Sequence, residues 1–123
     1  MDNYGKELII DLHDCNRGKF TRENLKKYFK ELCKLIDMKR CKLVFWDDEG
    51  LPEEEKQTLP HTKGTSAVQF ILTSNVTVHC LDLLGNVYVN IFSCKDFDTI
   101  KAAEFTKKYF GGEIVKHHEI TRL

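Results

Sequence analysis

Side chains that can take part in acid–base or covalent chemistry are concentrated between Gly64 and Cys94. Histidine has the ordinary pKa nearest to neutral, and a thiol can donate a proton from a fixed position. Any one of these residues alone is more often structural, so it is their grouping that draws attention to the stretch. The candidates are Ser66, Ser74, His79, Cys80 and Cys94.

Residues 75–81 and 86–92 alternate between apolar and polar side chains, and residues 82–85 separate the two runs. Alternation with a period of two predicts half-buried strands, and a short link containing Asp and Gly predicts a hairpin turn. A buried face resists slippage by one residue, which sets the register. The expected pairs are Leu81–Asn86, His79–Tyr88 and Thr73–Cys94.

In that register the hairpin has one apolar face and one polar face. The apolar face carries Val76, Val78, Cys80, Val87, Val89 and Ile91, and the polar face carries Thr73, Asn75, Thr77, His79, Tyr88, Asn90 and Cys94. Ser74 lies one residue from the expected Thr73–Cys94 pair. A polar lining that holds an imidazole and a thiol is unusual for a purely structural sheet, so it indicates a site.

The rest of the chain predicts four further strands and two helices. Strands are expected at 8–12, 41–46, 67–72 and 113–120, and residues 47–63, which hold both prolines, are typical of a surface loop. Apolar stripes predict helices at 22–38 and 99–110, the second capped by Asp96 or Asp98 and ended by Gly111 and Gly112. Because strands and helices do not alternate regularly, we expect an α+β two-layer sandwich, a mainly antiparallel sheet with two helices on one face.

Composition narrows the class of protein. A chain of 123 residues suits one domain spanning 1–123, and its 19 basic and 19 acidic residues give a net charge of zero. Nucleic-acid binding, which needs a basic excess, is therefore not expected. Since there is no apolar run of membrane-spanning length and no signal peptide, we expect a cytoplasmic protein with reduced thiols and no membrane partner. His13 with Cys15, and His117 with His118, match no closed zinc pattern, so no metal site is expected.

The spacing of the candidate residues resembles that of the small prokaryotic S-adenosylmethionine decarboxylase family. That family has a Ser-His-x-Thr-Ile-His run followed, after a turn, by a strand ending in Phe-Thr-Cys. Here Ser74-Asn75-Val76-Thr77-Val78-His79 is followed by Ile91-Phe92-Ser93-Cys94, and Gly64-Thr65-Ser66-Ala67 is similar to the family's upstream Gly-Val-Ser-Gly. Chain length and the order of elements also agree, so the resemblance covers nearly the whole sequence.

The resemblance implies a self-processing, pyruvoyl-dependent decarboxylase. Decarboxylation needs an electron sink that no unmodified side chain supplies. In the family, a serine cleaves the chain before itself and becomes a pyruvoyl group, whose ketone binds the substrate amine as a Schiff base. By resemblance, Ser74 is the precursor, Thr73–Ser74 the cleaved bond and His79 the base that removes the Ser74 α-proton. Ser66 would assist processing by hydrogen bonding, and Cys94 would reprotonate the product carbon.

Three departures bear on the substrate. Thr73 stands where the family has Glu, Asn75 where it has His, and Leu81-Asp82-Leu83 where it has a Trp-Pro-Glu turn whose glutamate binds ribose hydroxyls. S-adenosylmethionine, in spermidine biosynthesis, is the first expectation, and arginine or ornithine, used by some relatives, is the alternative. Asp82 is a candidate for the missing acid. Phe45 and Trp46 have two possible roles. They are either core or interface residues, or they contact the ligand, because they lie near the region where family members stack an adenine.

Two interpretations from different classes remain open. One is the enzyme, a lyase acting on a small amino-acid-type substrate. The other is an uncleaved, non-catalytic homologue that serves as a binding or regulatory partner. We expect a homodimer, because two helices can cover only one face of the sheet and a two-fold partner is the commonest cover for the other. The resemblance also implies that residues of both protomers lie near each site.

Overall fold

A computed structural model describes residues 3–123, in which six strands and two α-helices are assigned. The strands are β1 (Gly5–His13), β2 (Arg40–Trp46), β3 (Gly64–Ile71), β4 (Ser74–Leu81), β5 (Asn86–Ser93) and β6 (Glu113–Arg122). The helices are α1 (Arg22–Leu35) and α2 (Thr99–Phe110), and single 3₁₀ turns occur at Arg17–Lys19 and Glu53–Glu55.

The strands form one antiparallel sheet in the order β2-β3-β4-β5-β1-β6, which confirms the predicted α+β class. The predicted register of the β4–β5 hairpin is also confirmed, with Leu81 opposite Asn86 and His79 opposite Tyr88. The first strand is inserted between β5 and β6, so the first and last strands of the chain pair at one edge of the sheet.

Helix α1 forms where its apolar stripe and its caps agree. The Thr21 hydroxyl caps its start by accepting from the backbone N–H of Asn24, at 3.1 Å. It ends at Leu35 rather than at the expected residue 38, because Asp37 takes a left-handed conformation and turns the Met38 N–H back to the carbonyl of Cys33. Helix α2 has the predicted bounds, from an Asp98 cap to Gly111, whose φ is +65°.

The core lies between the helices and one face of the sheet. Leu8, Ile10 and Leu12 of β1 and the predicted apolar face of the β4–β5 hairpin are buried there. The apolar stripe of α1 is buried there, namely Leu25, Tyr28, Phe29 and Leu32, together with Ile36 directly after the helix. From α2, the buried residues are Ala102, Ala103, Thr106 and Phe110. The apolar stripe that predicts α2 places Ala102, Phe105 and Tyr109 inward; Ala102 is buried, but Phe105 and Tyr109 are only partly buried, because Phe110 occupies the core position beside Tyr28.

The opposite face of the sheet, which we call the open face, carries the predicted polar residues. His79 is exposed there, and Asn75, Thr77, Tyr88 and Asn90 are partly buried. It also carries the exposed apolar side chains Val44, Trp46 and Phe70 from β2 and β3. Within residues 3–123 no helix combines the length and apolar character needed to cross a lipid bilayer.

Candidate functional site

Ser74 begins β4, directly after the two-residue turn Leu72–Thr73 that joins it to β3. Its side chain is buried, and its Oγ accepts a hydrogen bond of 2.9 Å from the backbone N–H of Cys94. The Cys94 Sγ lies 3.8 Å from the carbonyl oxygen of Leu72. Ser74 and Cys94, which are distant in sequence, therefore meet at one end of the sheet. We call the group formed by Leu72, Thr73, Ser74 and Cys94 the Ser74 turn.

A cleft of about 350 Å³ opens beside the Ser74 turn. Its lining includes Thr73, Ser74, Cys41, Phe70 and Phe92. The cleft is shallow and open to solvent, and its walls are aromatic side chains with a few polar groups.

Ser66 and His79 form the second group of candidate residues, the Ser66–His79 pair. They lie directly opposite each other on β3 and β4, and the Ser66 Oγ is 2.7 Å from the His79 Nδ1. This bond fixes the imidazole ring and leaves Nε2 free to exchange a proton with a substrate or a neighbouring chain.

A row of cross-strand neighbours extends from this pair across the open face. Trp46 lies beside Ser66, Tyr88 beside His79, and Asp11 beside Tyr88. A cleft of about 320 Å³ lies over part of the row, lined by His79, Tyr88, Asp11, Thr77 and Asn90 among others. Asp11 and Tyr88 were not predicted as site residues; the signal that could have found Asp11 is a carboxylate within the apolar run of β1.

One chain does not bring the two groups together. Ser74 is the first of the eight residues of β4 and His79 is the sixth, which at about 3.3 Å per residue separates them by about 16 Å. Their side chains also leave opposite faces, since Ser74 is buried on the side of Val76 and Val78 while His79 is on the open face. The predicted role of His79 towards Ser74 thus requires a second chain or a different conformation.

The thiols differ in their surroundings. Burial raises the pKa of Cys15 and of Cys33 to about 11, and burial also raises the pKa of Cys80. A thiol whose pKa lies this far above neutral stays protonated and unreactive. Cys94 is partly exposed at the Ser74 turn, so it is the better candidate for proton transfer.

The neighbouring aromatic residues Phe45 and Trp46 point to opposite sides of β2. Phe45 packs against the core, 5.6 Å beneath the guanidinium of Arg22. Trp46 is 82% exposed on the open face beside Ser66. Of the two candidates for ligand stacking, Trp46 alone is on the face that holds the Ser66–His79 pair.

Asp82 follows β4 and lies in a separate cleft of about 410 Å³, together with Arg22, Asp47, Asp48 and Lys63 among others. Burial raises the pKa of its carboxyl group, and Asp48 adds to that effect. Asp82 is thus grouped with the charged loop after β2 rather than with His79. Among the described residues, no three His, Cys, Asp or Glu side chains are close enough to hold a metal ion.

Comparisons with known proteins agree with these observations. The family model described as S-adenosylmethionine decarboxylase matches residues 6–123. The crystal structure of the adenosylmethionine decarboxylase from Aquifex aeolicus VF5 superposes with a TM-score of 0.75 at 13% identity, covering 99% of this chain and 92% of that chain. No curated protein sequence gives a significant match. Since the family model spans nearly the entire sequence, the chain belongs to the S-adenosylmethionine decarboxylase family.

Proposed function

We propose that this protein is a self-processing, pyruvoyl-dependent decarboxylase that cleaves its own chain between Thr73 and Ser74. The observation that carries the proposal is the Ser74 turn, where the Ser74 hydroxyl accepts from the Cys94 N–H and the Cys94 thiol lies near the Leu72 carbonyl, with a cleft beside Thr73 and Ser74. S-adenosylmethionine is the proposed substrate, with arginine or ornithine as the alternative, because the family's ribose-binding turn is replaced here by Leu81-Asp82-Leu83.

The residues present fit a pyruvoyl group. Ser74 supplies the nucleophilic hydroxyl and the carbon atoms of the pyruvoyl group, and its hydrogen bond from the Cys94 N–H holds the side chain in one rotamer. The group, once formed, supplies the electron sink for decarboxylation. The neighbouring cleft offers Phe70 and Phe92 as apolar walls for a substrate at that position.

We further propose that the complete site is shared between two copies of the chain. A two-fold axis crossing β4 midway between Ser74 and His79 would lay one open face on the other and bring His79 of the partner subunit over the Ser74 turn. Packed sheets lie about 10 Å apart, a distance that side chains from both faces fill. The exposed Val44, Trp46 and Phe70 give the open face apolar area to bury in such a dimer.

In this arrangement each side chain has a distinct task. The Ser74 hydroxyl attacks the Thr73 carbonyl, and the imidazole of His79 removes the Ser74 α-proton when the resulting ester is eliminated. Ser66 holds that imidazole through its bond to Nδ1. Cys94, at the Ser74 turn, holds the proton that the product carbon receives.

Mass spectrometry of the purified protein tests the proposal directly. The expected result is two fragments, residues 1–73 and residues 74–123, the second lacking a free amino group. Ser74→Ala should give one intact chain and no carbon dioxide release from S-adenosylmethionine, arginine or ornithine. An intact wild-type chain would refute the proposal and leave the uncleaved, non-catalytic homologue as the interpretation.

A further inference from the structure

The residue before the proposed cleavage site has an unusual backbone conformation. Thr73 has φ +57°, in the left-handed region. Among the described residues, two other non-glycine residues have positive φ, and both are aspartates, Asp14 and Asp37. Aspartate tolerates this region, whereas a β-branched residue such as threonine is strained there.

The surrounding hairpin imposes this conformation. Ile71 and Ser74 are paired on either side of the turn, the Leu72 N–H donates to the Lys39 carbonyl at 3.1 Å, and the Cys94 N–H donates to the Ser74 Oγ at 2.9 Å. The Thr73 side chain is exposed, so no packing of its own favours the left-handed state. A strained residue persists where its neighbours determine its conformation, as they do here.

We propose that the strain at Thr73 accelerates self-cleavage of the Thr73–Ser74 bond. The inference rests on the proposed function. In the cleavage step the Ser74 Oγ bonds to the Thr73 carbonyl carbon, the C–N bond to Ser74 breaks, and the hydroxyl proton ends on the released amine. In the following step the Ser74 α-proton leaves and the bond from Cβ to the ester oxygen breaks, which frees Thr73 as a carboxylate and leaves a dehydroalanine at position 74. This tautomerises to an imine, and water hydrolyses it to the pyruvoyl ketone with release of ammonia.

Release of strain belongs to the first of these steps. While the peptide bond is intact, β4 pairing fixes the Ser74 nitrogen and hence the position of the Thr73 carbonyl. The ester link runs instead through Oγ and Cβ, two further rotatable bonds, so Thr73 can leave the left-handed region. The transition state gains part of that relief, and the peptide ground state gains none.

Three substitutions at position 73 test the inference in the full-length chain. Thr73→Asn and Thr73→Gly tolerate the left-handed conformation, and Thr73→Val is the matched control, because it keeps the β-branch and the strain while removing the hydroxyl. Cleavage is followed by mass spectrometry after cell-free synthesis. The Asn and Gly variants should cleave about 5- to 100-fold more slowly than wild type, and the Val variant at nearly the wild-type rate. Equal or faster cleavage by both relaxed variants would overturn the inference while leaving the proposed function intact.

A second measurement detects the strain without any cleavage. In a Ser74→Ala background, which cannot cleave, Thr73→Asn should raise the Tm by roughly 2–6 °C and Thr73→Val should not. No rise with Asn would mean that the turn is unstrained, and would overturn the inference whatever the cleavage rates are. A wild-type chain that never cleaves would instead refute the proposed function, and the role of Thr73 with it.

Discussion

Complementation between two inactive variants tests whether the site is shared. A His79→Ala chain retains Ser74, and a Ser74→Ala chain retains the Ser66–His79 pair. If His79 acts across a two-fold interface, each chain alone stays uncleaved. A mixed dimer contains one complete site, formed by Ser74 of the first chain and His79 of the second.

The structure sets the expected size of the effect. Ser74 and His79 of one chain are about 16 Å apart along β4, far beyond the roughly 3 Å needed for proton transfer, so action within one chain contributes nothing. When equal amounts of the two chains pair at random, about half of the His79→Ala chains are in mixed dimers. About half of all His79→Ala chains should therefore be cleaved, and the Ser74→Ala chains should all remain intact.

The assay is co-expression of the two chains with different tags, followed by mass spectrometry of each. The matched control pairs His79→Ala with a Ser74→Ala/His79→Ala double variant, which has the same interface but no imidazole, and should give no cleavage. Intact chains in both mixtures, with dimers present by light scattering, would refute the shared site. A His79→Ala chain that cleaves by itself would refute the role of His79.

Three further predictions concern single residues. Cys94→Ala should leave cleavage intact and lower turnover about 10²–10⁴-fold, with gradual conversion of the new N-terminus to alanine during turnover; wild-type turnover would make Cys94 a packing residue only. Tyr28→Phe removes the 2.7 Å bond between the Tyr28 hydroxyl and Thr106 Oγ1 and should lower the free energy of unfolding by about 0.5–1.5 kcal/mol in urea titrations, since the Thr106 hydroxyl still donates to the Ala102 carbonyl. The hydrogen bonds from Arg22 lower the pKa of Asp47 below its ordinary value of 3.8, so their contribution to stability is present above that pH and is lost as the pH falls through the lower, folded-state pKa. The stability difference between wild type and Asp47→Asn should thus be constant near neutral pH and shrink below about pH 4, and an equal difference at pH 3 and pH 7 would contradict this reasoning.

Local patterns in the sequence predicted the elements well and their long-range pairing less well. The β4–β5 register follows from alternation and a turn containing Asp and Gly, both local signals. The Ser66–His79 pairing depends on the β3–β4 turn, and Leu72–Thr73 has no turn signature that would have fixed it. The insertion of β1 between β5 and β6 is a contact between distant segments, which no local pattern encodes.

The candidate site shows the same difference between what local sequence patterns predict and what only the three-dimensional structure gives. Motif spacing identified the residues, and the predicted strand already separated Ser74 from His79 along the chain, but the burial of Ser74 on the core side of β4 was visible only in the three-dimensional structure. The strain at Thr73 likewise cannot be predicted from the sequence, because threonine is common in strands. Its positive φ arises from the pairing and the hydrogen bonds of the surrounding hairpin.

The order of strands in the sheet has a consequence for the molecularity of folding. Cleavage before Ser74 would leave β1, β2 and β3 on one fragment and β4, β5 and β6 on the other. In the order β2-β3-β4-β5-β1-β6, β1 is enclosed by two strands of the other fragment, and β3 pairs with β4. The fragments thus hold each other through three ladders and stay together at any dilution that leaves the sheet intact. Once unfolded, however, they must find each other again by collision, so refolding becomes second order in protein concentration, whereas the uncleaved chain brings its own two halves together.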